Sequence, residues 1–204
     1  MQTTTSPAAP AKKLATRQRL LDAAVASLIE LGVARTTTLE VQRRSGASRG
    51  ALLHHFPSHA ALLSATIEEL VRRNDAAVCQ AEAGLMEIAN PLERSIRTLA
   101  SMTLQPAFLA EIELWAAART DPDLQAAIRS AERDARGERE RVIAKLFSAV
   151  SSHPNFECVM ALSVEFLRGM ALSSVLTTNP EHTEKLIGQW LWAAETLLQP
   201  PRPD

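Results

Sequence analysis

The sequence predicts an all-α chain with a small three-helix head and a six-helix body. Three observations carry this. Helix formers, Ala and Leu above all, dominate the 204 residues, and runs of β-branched residues are scarce. Gly is rare, with 7 residues, and there is no Tyr. Most Pro residues sit where a helix would begin or end, three of them directly after Asn or Asp: Asn90-Pro91, Asp121-Pro122 and Asn179-Pro180. A short polar side chain before a Pro at the first helical position is a strong start signal, because Pro lacks an amide hydrogen that the first turn cannot use anyway.

Along the chain, residues 1–11 are Thr/Pro/Ala-rich and are expected to be a disordered tail. A first helix is expected over 12–31, with Leu21, Ala24, Val25 and Leu28 on one face and Gly32 as a left-handed C-cap. Thr37-Thr38-Leu39-Glu40 reads as a capping box opening a second helix. Gly46 ends it, and Ser48 caps a third helix only two residues later. Pro57 stops the third helix, and Ser58 caps a fourth that runs to about residue 83. Further helices are expected from about 91, 106, 122, 155 and 180, nine in all. The domain organisation expected is tail 1–11, head 12–58 and body 59–204.

Charge is asymmetric. Residues 1–60 hold eight Lys/Arg against three acids, and residues 61–204 hold fourteen against twenty. Only the basic end is suited to phosphate. Two helices joined by so tight a turn form a helix-turn-helix, which sets its second helix in the DNA major groove. In the third helix Leu52 and Phe56 lie about 40° apart and are expected to face a core with Leu39, Val41 and Ala47. The opposite face is then Gly50 and His54, flanked by Ala51 and Leu53, with Arg49 in the first turn. Small residues let the backbone approach the groove floor, Ala51 and Leu53 suit thymine methyls, and Arg49 suits a phosphate or a guanine edge. Thr37 offers a hydroxyl and amides to phosphate, and Arg43, Arg44 and the Lys12/Lys13/Arg17 end of the first helix suit flanking backbone. His55 is expected to pack or cap rather than bind. His54, His55 and His59 are not a metal site, because Pro57 breaks the helix between them and no carboxylate or Cys joins them.

The head resembles the DNA-binding domain of TetR-family transcriptional regulators. The matching features are LLDAAVASLIELG, the Thr-rich start of the second helix, SGAS-RG in the turn, and HHFPS followed by AALL, over about residues 14–65. A weaker likeness lies in ELWAAARTDPDLQAAI, residues 113–128. The resemblance implies that Thr37, Ser48, Arg49, Ala51, Leu53, His54 and His59 lie at or near DNA. The chain departs from the family with Leu53 in place of Tyr, His59 in place of Lys and Gln42 in place of Ala. These changes should weaken phosphate contact or move it to Arg43, Arg44 and the N-terminal basic residues.

The last two helices are apolar on two faces. Val159, Leu162, Phe166, Gly169 and Ser173, with Ile187, Trp190, Leu191 and Ala194, are expected to meet a second copy, since one helix-turn-helix reads few base pairs. The resemblance implies the same, through a four-helix bundle. Met86, Met102, Phe108, Ile112, Trp115 and Phe147, with Met170, are expected to line an apolar cavity with a few polar groups, which the resemblance implies holds an effector. Glu111 and Glu113 leave room for a cationic drug there. The function expected is a ligand-responsive regulator. It represses from a palindromic double-stranded DNA operator and is released by a small apolar or amphipathic molecule. The alternatives are a dimeric DNA-binding protein without an effector, or an activator.

No nucleophile elbow, P-loop, dinucleotide fingerprint or paired metal ligands occurs, so neither catalysis nor a cofactor nor a metal is expected. Cys79 and Cys158 read as reduced thiols of a cytoplasmic protein. No apolar segment suggests secretion or a membrane span.

Overall fold

The computed structural model describes residues 9–176 and 179–199, and all regular structure among them is helical. Nine α-helices follow in order: α1 (Ala9–Leu31), α2 (Thr38–Ser45), α3 (Arg49–His55), α4 (His59–Gly84), α5 (Pro91–Thr103), α6 (Pro106–Ala118), α7 (Pro122–Leu146), α8 (Phe156–Ser174) and α9 (Pro180–Leu197). Two 3-10 turns, Val33–Arg35 and Ser148–Val150, join α1 to α2 and α7 to α8. The expected tail lies mostly outside the described residues, and α1 begins three residues before the start read from the sequence.

The start signals act as their chemistry requires. Asn90 Oδ1 accepts from the amides of Leu92 and Glu93. Asp121 Oδ1 accepts from Leu124 at 3.0 Å, and Asn179 Oδ1 from His182 at 3.1 Å. Ser48 and Ser58 accept from Ala51 and Ala61. Thr37 Oγ1 accepts from Glu40 N at 3.2 Å, but the reciprocal half of the capping box is absent. Thr37 N donates instead to Arg35 O, and the Glu40 carboxylate turns to Arg43 and Arg44, because guanidinium partners outcompete a neutral amide.

The chain forms two units. The head unit runs through Val71 and includes Glu113–Arg133; the body unit comprises Arg72–Ile112 and the chain from Asp134 onward. The head therefore extends past the boundary at 58 read from the sequence. Leu62 and Ala65 of α4 close the same core as Leu20, Leu21 and Ala24 of α1, Val41 of α2, and Leu52 and Phe56 of α3. Leu39 is the exception to the expected core, at 74% exposed. It stands two residues, or about 200°, from Val41 on a helix, so the two cannot both point inward.

Gly32 has φ 78 and ψ 175, an extended left-handed conformation that only glycine adopts readily, rather than the αL cap expected. The bare backbone there accommodates a carboxylate: Val33 N donates to Glu113 Oε1 at 2.8 Å, and a Cβ on Gly32 would stand 2.6 Å from the same oxygen. In the body unit, α5, α8 and α9 share a core built on Ile96, Leu99, Val159, Leu167, Ile187 and Ala194. Ser163 Oγ donates to Val159 O and accepts from Trp190 Nε1, and the Trp190 ring stacks on Phe166. Arg97 bridges Glu93 and Glu184, which ties α5 to α9.

Gly32→Ala is expected to destabilise the folded protein by about 1–3 kcal/mol, because Ala must enter a glycine-only conformation. Urea unfolding measures it, and an unchanged midpoint would mean that the backbone relaxes at no cost.

Candidate nucleic-acid interface and body cavity

Helix α3 has only seven residues, too few to persist alone in water. It is held by its ends and its inner face. Gly46 adopts φ 65 and ψ 12, the left-handed turn that ends α2, and Ser48 caps the next helix at once. Leu52 and Phe56 are 1% and 2% exposed. Arg17 of α1 lies over the outer side of the Phe56 ring, 5.5 Å from its centre.

The opposite face is open. Arg49, Gly50, Leu53 and His54 are exposed and Ala51 is half-buried. No contact fills the space beyond Gly50. Thr37 and Ser48 are also exposed at the starts of α2 and α3. The structure thus brings Arg49, Gly50, Ala51, Leu53 and His54 onto one short helix, with Thr37 and Ser48 at helix starts beside it.

Three other residues named for DNA are already engaged. Arg43 makes two hydrogen bonds to Glu40, yet its side chain is largely exposed. Arg44 is mostly covered, with Nε on Glu40 at 2.6 Å and Nη1 on Glu30 at 2.7 Å. It fastens α2 to α1. His59 Nε2 donates to Thr36 O at 2.8 Å, so it ties the α4 start to the loop before α2. His55 packs edge-on to His54 and beside Phe56. Burial first, then the charges of His54, Lys13 and Arg17, lower its pKa.

The pair Arg43 and Arg44 holds the Glu40 carboxyl down to about 2, chiefly through hydrogen bonds from Arg43 and then Arg44.

The body unit contains a cavity of about 80 Å³. Its apolar wall includes Leu99, Met102, Phe108, Ile143 and Leu167; its polar wall is Asn74, Thr103, Glu111, Arg139 and Arg168. Glu111 is 3% exposed and accepts from Asn74 Nδ2 at 2.6 Å and from Arg139 Nη2 at 3.2 Å. Glu111 is therefore not a surface charge, whereas Glu113 belongs to the head unit, at Val33. Of the seven residues expected to line a cavity, Met102 and Phe108 stand on the wall of this one, and Met170 borders a separate groove between α8 and α9. Met86 is 62% exposed after the end of α4. Phe147 and Met170 are packed into the α5/α8/α9 core. Ile112 is turned about 100° from Glu111, and Trp115 lies about 10 Å along α6 from Phe108 and falls in the head unit. Asn74, Arg139 and Arg168 were missed because apolar periodicity carries no signal for a polar residue turned inward.

The dimer set divides in the same way. Val159, Ile187 and Ala194 are buried in the chain's own core. Val159 stands about 60° round the helix from Leu162, which is enough to turn it inward. Leu162, Gly169 and Ser173 are exposed, and Phe166, Trp190 and Leu191 are half-buried. Cys158, Leu172, Gly188 and Trp192 share the outer faces of α8 and α9 and were not singled out. The Cys79 side chain lies outside what is described. No helix among the described residues is long and apolar enough to cross a membrane.

Leu52→Ala should cost about 2–5 kcal/mol of head stability, whereas Leu39→Ala should cost no more than about 0.5, both read by urea unfolding. The Glu40 contribution has a defined sign. Its folded pKa lies below the ordinary 4.5, so its stabilisation is complete above pH 4.5 and disappears as pH falls toward about 2. Glu40→Gln should flatten the acid limb of the stability profile in that window. A wild-type profile that the substitution leaves unaltered would contradict the assignment.

A family model described as "Bacterial regulatory proteins, tetR family" matches residues 20–66. An uncharacterized HTH-type transcriptional regulator of Mycobacterium bovis is 28% identical over 83% of this chain and 87% of its own. The HTH-type transcriptional regulator CymR of Pseudomonas putida is 28% identical over 86% of this chain and 87% of its own. In fold, the chain is similar to the multidrug binding protein EbrR complexed with imidazole, at TM-score 0.60 and 21% identity, covering 91% of this chain and 96% of that one. The same protein complexed with ethidium gives a TM-score of 0.58 at 21% identity, over 86% and 97%. The exposed α3 face thus lies in a head that matches the tetR family of bacterial regulatory proteins, and over most of its length the chain is similar to HTH-type transcriptional regulators.

Proposed function

We propose that the chain acts as a homodimer on a palindromic double-stranded operator in the cytoplasm, and that a small molecule entering the body releases it. The observation that carries this is the open face of α3: one unpaired guanidinium, Arg49, beside Gly50, Ala51, Leu53 and His54, on a helix anchored only from behind. Arg49 contacts a guanine edge or a phosphate, Leu53 and Ala51 meet thymine methyls, and His54 donates to a base edge or phosphate. Thr37 keeps its hydroxyl hydrogen for a phosphate, because its oxygen serves only as acceptor for Glu40 N. Ser48 is placed alike, and Arg43 reaches flanking backbone from its exposed site. Arg44 and His59 contribute by holding α2 and α4 in place rather than by touching DNA.

Dimerisation rests on the outer faces of α8 and α9. Cys158, Leu162, Gly169 and Leu172 recur at i, i+4, i+11 and i+14, so they share one stripe. Leu162 is 45% exposed, and Trp192, on the corresponding face of α9, is 70% exposed. Large side chains this open on adjacent helices suit burial against a second copy, while Gly169 and Gly188 permit close approach. Pairing would set two α3 helices about one DNA turn, roughly 34–36 Å, apart. An effector that favours a different spacing releases DNA by shifting the population between the two arrangements.

Operator duplexes selected from a random pool and read by fluorescence anisotropy test the head. Arg49→Ala is expected to weaken specific binding by about 1–3 kcal/mol and relax preference at one base position. If Arg49→Ala with His54→Ala leaves specific binding intact, the assigned face is wrong. Sedimentation tests the dimer. Leu162→Glu with Trp192→Glu should yield folded monomers, and a double variant that remains dimeric would remove α8 and α9 as the interface.

A further inference from the structure

The charges on the wall of the body cavity are matched to protein partners, and one neutral acceptor is not. Glu111 accepts from Asn74 and Arg139, and Arg168 donates to Glu165. A charged ligand would have to displace one of these pairs, and a covered charge stripped of its partner is costly. Asn74 is different. It is only 8% exposed, and its side-chain amide carries a donor and an acceptor. Nδ2 donates to Glu111 Oε2 at 2.6 Å; because a carboxylate only accepts, that bond fixes which end of the amide is which. Oδ1 then points away from Glu111, and no donor among the described residues reaches it. A covered carbonyl oxygen in this state has given up water without a replacement, which the O–H of a ligand would supply. Thr103 adds a second acceptor to the cavity wall, since its hydroxyl hydrogen goes to Ala100 O.

The cavity itself, at about 80 Å³, is too small for a ring, since a dry cavity of about 150 Å³ is needed for benzene. Asn74 and Met102 also stand on the wall of a groove of about 490 Å³, formed by α4, α5 and the start of α6. That volume admits a ring. The wall suits one as well: Ala77, Ala81 and Ala107 are short, and the Met102 side chain adapts its shape. We infer that the groove binds a small uncharged molecule with a ring-sized apolar body and one hydroxyl, which donates to Asn74 Oδ1. This rests on the effector reading above and gives that effector a chemistry. The ring lies against Ala77, Ala81 and Met102, and no existing ion pair has to open to receive it.

Phenol, toluene, benzoate and benzylamine test it, titrated calorimetrically into the full chain at neutral pH and equal ionic strength. Phenol and toluene share one shape and differ by a hydroxyl in place of a methyl. Phenol is expected to bind, toluene about tenfold more weakly although it is the more apolar, and the two ions not at all. Asn74→Leu removes the acceptor, so it should weaken phenol by about tenfold and erase its advantage over toluene. Ala81→Leu leaves Asn74 in place and fills the groove, so it should abolish phenol binding without lowering the thermal unfolding midpoint. Toluene, benzoate or benzylamine bound as tightly as phenol, a preference for phenol that survives in Asn74→Leu, unchanged phenol binding in Ala81→Leu, or no binding of phenol overturns the inference. Operator release is read on the same samples. Phenol that binds without releasing DNA supports this inference and removes the release mechanism, whereas release by benzoate or benzylamine alone removes this inference and leaves the release mechanism intact.

Discussion

The anchoring of α3 by Leu52 and Phe56 is the constraint on which the rest of the head depends. Seven residues cannot maintain a helix unaided. Two side chains one turn apart, both almost fully buried against α1, α2 and α4, fix its position and its rotation. Once rotation is fixed, Arg49, Gly50, Leu53 and His54 have no direction left but outward. The surrounding devices serve the same end. Gly46 allows α2 to stop abruptly, Ser48 restarts the chain within two residues, and Arg44 ties α2 to Glu30 of α1. The result is a rigid back and an unobstructed front.

Charge is divided according to the same plan. Within the basic head, Arg44 is committed to two carboxylates and Arg43 to one, while Arg49 is left facing solvent. A count of basic residues therefore overstates what is offered to DNA. The Glu113 carboxylate set on Gly32 is a different use of charge: it pairs the first amide of the 3-10 turn after α1 and ties the end of α6, from Glu113 onward, into the head unit. In the body unit Glu111, two residues earlier on α6, serves the cavity wall.

Much of the fold was legible in the sequence because its signals are local. Caps at Ser48, Asn90, Asp121 and Asn179 act on amides two or three residues away, and so the helix starts were readable residue by residue. The site residues were less so. Periodicity reports an angle round a helix, not what stands at that angle. It grouped Leu39 with Val41, Val159 with Leu162, and Phe147 with Met102, although in each pair one partner is buried in the chain's own core and the other is exposed or on a cavity wall. Pairing across the fold was invisible for the same reason. Arg44 with Glu30, His59 with Thr36 O, and Asn74 and Arg139 with Glu111 join residues 14 to 37 positions apart.

The central claim is that DNA is read by the outward face of α3 while its inner face stays locked in the head core. Amide hydrogen exchange of the full chain, with and without a selected operator duplex, tests this most directly. The account predicts new protection concentrated over residues 37–54, with the amides around Leu52 and Val41 already slow in the free protein. Protection confined to other parts of the chain, with α3 exchanging as fast as before, would contradict it.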